Sequence, residues 1–159
     1  MFREMRKKRQ QLSKKESLAA LQRGSSGVLA LSGDDEYPYA VPISYVLDGN
    51  AIYFHSAAEG HKIDAIRRNP KASFSVTDMD LLLPERLTTC YRSVIAFGRI
   101  HILDDAEEIL HAVDKLGKKY LPEHMEHFLA EFERNRKKLC VFRFDIEHLT
   151  GKQSKELLK

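Results

Sequence analysis

The 159-residue chain has no tryptophan, two cysteines, five prolines and eight glycines. Cys90 and Cys140 stand fifty positions apart, with no CxxC and no Cys/His ligand spacing near either, which excludes a disulfide framework and a zinc knuckle. No apolar run approaches the ~20 residues of a membrane-spanning helix. The basic start runs into Gln10, Gln11, Ser13, Lys14 and Lys15 where a secretory signal needs an apolar stretch, so the sequence predicts a cytoplasmic protein. No GxGxxG is present, which leaves no dinucleotide-binding βαβ unit. Repeats, low-complexity tracts and Pro/Gly/Ser-rich linkers are missing too, so one continuous domain is expected. At this length a chain buries roughly 70% of its unfolded surface, enough for a core without staples.

Charge is placed unevenly. Residues 1–15 hold seven basic side chains and one acid, a local +6, while the rest of the chain sums to −3. Such an arm can attract nucleic acid or anionic lipid, but only Phe2 interleaves it with an aromatic ring. The reading preferred is a solvated leader, residues 1–15, that packs by its few apolar side chains ahead of a domain spanning 16–159.

Ser13 and Glu16 have capping-box spacing, with Leu18 and Leu21 on one face and Gly24 as a stop, which predicts a helix over 14–23. The hydrophobic period then falls to two. Strands are expected at 28–31, 39–47 and 51–56, the last two joined through Asp48-Gly49, whose residues tolerate the positive φ of a tight hairpin. A short helix over 61–69 follows, stopped by Pro70. Ala72, Phe74 and Val76 alternate with polar residues in the next strand, and a long strand from about Thr88 to Leu103 places Val94, Ala96, Ile100 and Ile102 on one face. Ile109, Leu110, Val113 and Leu116 stripe one late helix, and Met125, Phe128, Leu129 and Phe132 another. Cys140, Phe142, Phe144 and Ile146 alternate in a last strand, so Cys140 reads as core. Six mostly hairpin-connected strands with helices at the start, at one crossover and as a late pair predict an antiparallel barrel with peripheral helices.

Chemistry-bearing residues are densest between Tyr37 and Lys62. Ser56, Gly60 and Lys62 fall just before and at the start of a helix, where free N–H groups, the dipole and an ammonium can meet a phosphate; the plain alternative is a solvated first-turn lysine. Pro42 removes a ladder donor inside a strand, which suits an edge or a place where a ring system lies against the backbone of Val41, Ile43 and Ser44; an edge proline that only discourages aggregation is the alternative. His124 and His127 have i, i+3 spacing among glutamates, but without a placed third ligand they read as a polar helix face rather than a metal site.

The stretch YPYAVPISYVLDGNAIYFHSAAEGHK, with YRSVIAFGRIHILDD downstream and the closing TGK, resembles the nitroimidazole-resistance (Nim) group of the pyridoxamine 5′-phosphate oxidase-like FMN-binding proteins. The resemblance spans nearly the whole chain after the arm. It implies a six-stranded split barrel that dimerises with flavin at the subunit interface, FMN or, through an open groove, FAD. On that resemblance Val41, Pro42, Ile43 and Ser44 line the isoalloxazine, while Ser56, Gly60, His61 and Lys62 hold the phosphate end. His55 stands beside the reactive flavin face as the catalytic candidate, and Tyr91, Arg92 and Ser93 approach from the partner subunit. The activity implied is an FMN-dependent oxidoreductase that takes electrons from a reduced nicotinamide or another donor and reduces nitroimidazole-type or other small aromatic acceptors. Two alternatives accompany it: a haem-binding split barrel with His55, His61 or His148 as axial ligand, and a module that binds flavin or, through the arm, nucleic acid without turnover.

Overall fold

In the computed structural model, residues 1–158 are described and form seven strands and four α-helices. Helix α1 (Lys14–Arg23) starts with the expected capping box: the Ser13 side chain accepts from the Glu16 N–H, and Glu16 in turn accepts from the Ser13 N–H. Strands β1 (Ser26–Ser32), β2 (Pro38–Ser44), β3 (Val46–Asp48) and β4 (Ala51–Ala57) follow, then α2 (His61–Arg68). Two long strands, β5 (Lys71–Leu83) and β6 (Thr88–Ile102), are joined by a single 3₁₀ turn at Pro84–Arg86. Helices α3 (Ala106–Tyr120) and α4 (Met125–Arg134) precede β7 (Leu139–Gln153).

All pairings are antiparallel, in the order β2-β1-β5-β6-β7-β4-β3. The strand expected over 39–47 is therefore two strands at opposite ends of this order, joined by the single residue Tyr45. Because the chain passes directly from one sheet edge to the other, the sheet must curl until its edges meet, which makes it a split barrel. Tyr45 is fully buried, and its hydroxyl donates to the Leu21 carbonyl at 2.5 Å. Its backbone has no strand partner. The Tyr120 hydroxyl accepts from the Tyr45 N–H at 2.9 Å and shares its one proton between the carbonyls of Tyr45 and Ser25. A side chain from α3 thus does for one residue what a neighbouring strand does elsewhere.

Strand alternation divides the core in two. Phe54, Phe74, Phe142, Phe144 and Tyr45 fill the barrel with Ala20 and Leu21 of α1 and Ile63 and Ile66 of α2. Phe54 stacks on Phe142 at 5.2 Å, and rings of this kind contribute roughly 1.5–3 kcal/mol each when fully buried. On the opposite face of β3, β4 and β7, Val46, Tyr53 and Val141 pack against Ile109, Val113 and Leu116 of α3 and Phe132 of α4. Cys140 lies in the barrel core as its alternation predicts, and both cysteines are free. Gly98 marks a register shift between β6 and β7, where a Cβ would sit 1.9 Å from the Asp145 carbonyl oxygen.

The basic arm crosses the sheet rather than trailing from it. Phe2 stacks on His148 at 4.6 Å, Gln11 bridges to Lys152, and the Leu12 N–H donates to the Gly151 carbonyl beside a buried Leu12 side chain.

Candidate flavin site

The split is the first element of the site. β3 pairs with β4 as far as Val46 opposite Tyr53, after which β2 turns away to β1. Beyond that point β4 is paired only with β7 and β2 only with β1, although β2 and β4 still run close together. Two strand edges therefore face one opening with backbone groups unused by the sheet: Val41–Ser44 on one side, His55 and Ser56 on the other. Along β2, Val41 and Ile43 turn toward the core while Pro42 and Ser44 are exposed.

α2 closes one end of the opening. Gly60 precedes it with φ +112, a conformation that L side chains rarely adopt, and no side chain caps the helix. Gly60 contributes its carbonyl to the N–H groups of Ile63 and Asp64, while those of His61 and Lys62 have no partner among the described residues. The His61 ring stacks on Tyr39 of β2 at 4.1 Å and approaches Asp34 at 3.6 Å, which fixes the start of α2 against β2.

Three cations gather here without an ion pair among the described residues, although Asp64 stands in the same first turn of α2 as Lys62. Lys62, Arg67 of α2 and Arg136 beyond α4 all act on the Cys140 thiol, which pairs across from Ser56, and none of the three has an ion-pair partner among the described residues. Burial nevertheless pushes the Cys140 thiol up, with the three cations opposing it. Lys62 is half-buried, and that burial holds its ammonium below the usual lysine range. Unpaired, partly desolvated positive charge beside free helix N–H groups is the arrangement that binds a phosphate.

His55 and Ser56 leave β4 on opposite faces. Ser56 shares the barrel side with Phe54, whereas His55 shares the outer side with Tyr53 and opens to solvent beside α4. There Phe128, Glu131, Phe132, Asn135 and Leu139 form with it a cleft of about 200 Å³. Burial, and then the charge of Lys62, hold the His55 imidazole below the ordinary histidine pKa, so the ring is neutral at pH 7.

Tyr91, Arg92 and Ser93 are not brought to this end of the chain. They pair with Asp80, Met79 and Thr77 on one side, and Arg92 and Ser93 with Gln153 and Lys152 of β7 on the other, a dozen residues along β7 from Cys140. Arg92 donates through Nε to Asp78 at 2.8 and 3.1 Å, and Arg23 of α1 holds the same carboxylate at 2.7 Å. The Asp78 side chain is 2% exposed, and despite that burial the two guanidinium groups bring its pKa below the usual carboxylate range. His148 lies under Phe2, seven residues along β7 from the residue that faces His55.

A family model described as pyridoxamine 5′-phosphate oxidase matches residues 13–153. The chain belongs to this family. The pyridoxamine 5′-phosphate oxidase-like chain is 33% identical over 112 residues to the uncharacterized protein RA0666 of Rhizobium meliloti (strain 1021), covering 68% of the chain and 69% of that protein. Its structure is similar to that of a candidate 5-nitroimidazole antibiotic resistance protein from Bacteroides thetaiotaomicron, with a TM-score of 0.74 at 19% identity over 90% of this chain and 86% of that one. It is also similar to a FAD-binding protein from Mesorhizobium loti, with a TM-score of 0.64 at 24% identity over 91% and 97% of the two chains. The split-barrel fold expected from the sequence is the fold of this family, and the resemblance to the Nim group fits it.

Some residues of this candidate site carried no signal in the sequence as site residues. Arg67 reads in the sequence as a cation opposing the α2 dipole, and Phe128 as part of a helix stripe. Both readings hold, and both residues also border the site. Glu131 reads in the sequence as one of the glutamates of a polar helix face near His124 and His127, and Arg136 and Asn135 have no motif around them; their position depends on how α4 docks on β4.

Proposed function

We propose that the protein is a flavin-dependent reductase, binding FMN with its phosphate at the α2 start and passing electrons to nitroimidazole-type or other small aromatic acceptors. The observation that carries this reading is the meeting of two unpaired strand edges with a half-buried, unpaired Lys62 at a helix start. A flat ring with hydrogen-bonding edges suits the first, and a phosphate suits the second. When bound, flavin supplies the hydride and single-electron chemistry, and the protein supplies position and electrostatics.

The chain's own residues divide the remaining work. Ser56, Gly60, His61 and Lys62 bind the phosphate, with Arg67 and Arg136 adding positive field. Backbone groups of Val41, Ile43 and Ser44 orient the ring edge. His55, by a hydrogen bond at its ring nitrogen, orients an acceptor that is being reduced. With no dinucleotide motif in the sequence, a reduced nicotinamide donor would have to dock transiently on the bound flavin. FAD would fit the same reading, held by the same residues at its flavin end.

A homodimer completes the arrangement. Val28, Ile95 and Phe97 are each about two-fifths exposed on the outer sheet face, and Val28 lies between Pro42 and Ser75 across the strands. The β5–β6 hairpin adds Leu81, Leu82 and Leu87, all exposed at its tip. A second copy on these surfaces brings Tyr91, Arg92 and Ser93 to the flavin from the partner.

The test is a visible spectrum of the gently purified protein, then mass identification of any small molecule released on denaturation. A flavin spectrum with FMN or FAD released supports the reading. A colourless protein that refuses added FMN and FAD overturns it.

A further inference from the structure

We propose that the basic arm and the turn after β7 together form a second ligand site, which takes a small phosphorylated molecule of the nucleoside diphosphate class. The site does not depend on the flavin reading. β7 runs from Leu139, at the β2–β4 opening, to Gln153, at the new site, so the two lie at opposite ends of one strand.

Two short turns make its walls. Lys8–Gln10 form a 3₁₀ turn in the arm, and Lys155–Leu157 form another after β7. The backbone holds both in place: Gln11 bridges to Lys152, the Leu12 N–H donates to the Gly151 carbonyl at 2.9 Å, and the Ser154 N–H donates to the Tyr91 carbonyl at 2.9 Å. Between the turns is a cavity of about 600 Å³, lined from the arm by residues 6–10 and from the other side by Lys155 and Leu158. That volume lies inside the roughly 300–1,000 Å³ of small-molecule sites.

Five of the lining residues are cations, Arg6, Lys7, Lys8, Arg9 and Lys155, and none is a carboxylate. Two acids stand close by. Glu4 meets Lys8 at 2.9 Å in an exposed, solvent-screened pair, and Glu156 adjoins Lys155 and feels Arg86 as well. Five cations against these two acids leave an excess of three positive charges, and Arg6, Lys7 and Arg9 have no ion-pair partner among the described residues. An anion is the ligand this charge favours. Gln10 supplies a second and independent observation. It is 6% exposed yet lines the cavity, and its Oε1 has no hydrogen-bond partner among the described residues. A buried acceptor left in that state is satisfied by a donor on a ligand, an amino or hydroxyl group. Leu158 adds an apolar contact beside the aliphatic stems of the basic side chains. A nucleoside diphosphate carries all three complements: charged phosphates, amino and hydroxyl donors, and a flat carbon-rich ring. A nucleic-acid strand is the weaker fit, because Phe2, the one ring of the arm, is already stacked on His148.

ADP, pyrophosphate and adenosine separate the contributions, and titration calorimetry on the purified full-length protein measures all three. ADP is expected to bind about tenfold more tightly than adenosine, with pyrophosphate in between. Replacing two exposed cations together, Arg6→Gln with Arg9→Gln, should weaken ADP and pyrophosphate about tenfold each and leave adenosine unchanged. Gln10→Met should weaken ADP and leave pyrophosphate as it was. In Lys62→Ala, which alters the flavin opening, ADP should bind as in the unmodified protein. The exposed Arg6 and Arg9 carry the test by themselves if Gln10→Met does not fold. ADP that binds no more tightly than adenosine, or that ignores the loss of Arg6 and Arg9, overturns the proposal, and ADP binding that Gln10→Met leaves unchanged overturns the nucleoside part of it. ADP binding abolished by Lys62→Ala would place the ligand in the flavin opening and overturn the second site. Capture of duplex DNA or of vesicles containing phosphatidylserine without any uptake of ADP would make the arm a contact for a macromolecule or a membrane and overturn it too.

Discussion

At the scale of single residues, Lys62 and His55 are a coupled pair, and each has a test. Lys62 has no ion-pair partner among the described residues, so on the proposed reading its partner is the ligand phosphate. Lys62→Ala should cost FMN about 1.5–3 kcal/mol of binding while riboflavin, which has no phosphate, loses little, as read by flavin fluorescence titration. An equal loss for both would move Lys62 away from the phosphate. His55 is held below its ordinary pKa first by burial and then by Lys62. Lys62→Met should therefore raise the His55 pKa part of the way toward 6.5 in an NMR titration, and an unchanged value would show the two do not interact. The linkage has a definite sign. Because the folded state resists protonating His55, its contribution to stability is present above about pH 6.5 and is lost as pH falls through the lower folded value. His55 and Lys62 were both legible in the sequence, the first through its family resemblance and the second through Gly60 and the helix start. Their mutual influence was not, because it depends on strand and helix ends meeting in space.

At the scale of elements, the seam at Tyr45 explains what sequence pattern reveals and what it hides. Alternation from Tyr39 to Leu47 is unbroken, so nothing local marks the exchange of sheet edges. The group that substitutes for a strand partner, Tyr120, lies 75 residues downstream on a helix. The other strands, whose partners are strands, were readable to within a few residues. Next to the seam, Lys119 donates to the Gly24 carbonyl at 2.5 Å and sits 4.1 Å from the centre of the Tyr45 ring, and burial lowers its pKa to about 8. Between pH 8 and the unfolded lysine value near 10.5 the unfolded chain binds more protons there, so stability rises with pH. Burial drives the Tyr45, Tyr53 and Tyr120 hydroxyls the other way, above 10, which lowers stability once unfolded tyrosines ionise. The thermal midpoint is therefore expected to climb from pH 8 to about 10 and then fall. In Lys119→Met the climb should shrink to the part that Lys62, also held below the usual lysine range by burial, supplies, and the fall remain; an undiminished climb would assign it away from Lys119.

At the scale of the molecule, the proposed homodimer is what would complete the proposed site. The β2–β4 opening, α2 and α4 lie at one end, while Tyr91, Arg92 and Ser93 lie beside the far end of β7. The arm does not supply the missing side, because Phe2 is occupied on His148 and Phe97. The exposed sheet face around Ile95 and Val28 is where a second copy can bury apolar surface and deliver those residues. Ile95 is 43% exposed in the single chain, so Ile95→Lys should leave folding intact, its side chain reaching water. In a dimer the same substitution places a charge at the buried centre of the interface, where an unpaired ion costs several kcal/mol. Ile95→Lys is therefore expected to sediment as a monomer with an unchanged circular dichroism spectrum and to lose flavin in step with dimer. The measurement is sedimentation velocity recorded at both protein and flavin wavelengths. A monomer that still carries flavin would place the whole site within one chain and return Tyr91, Arg92 and Ser93 to a structural role, consistent with the hold of Asp78 on Arg92.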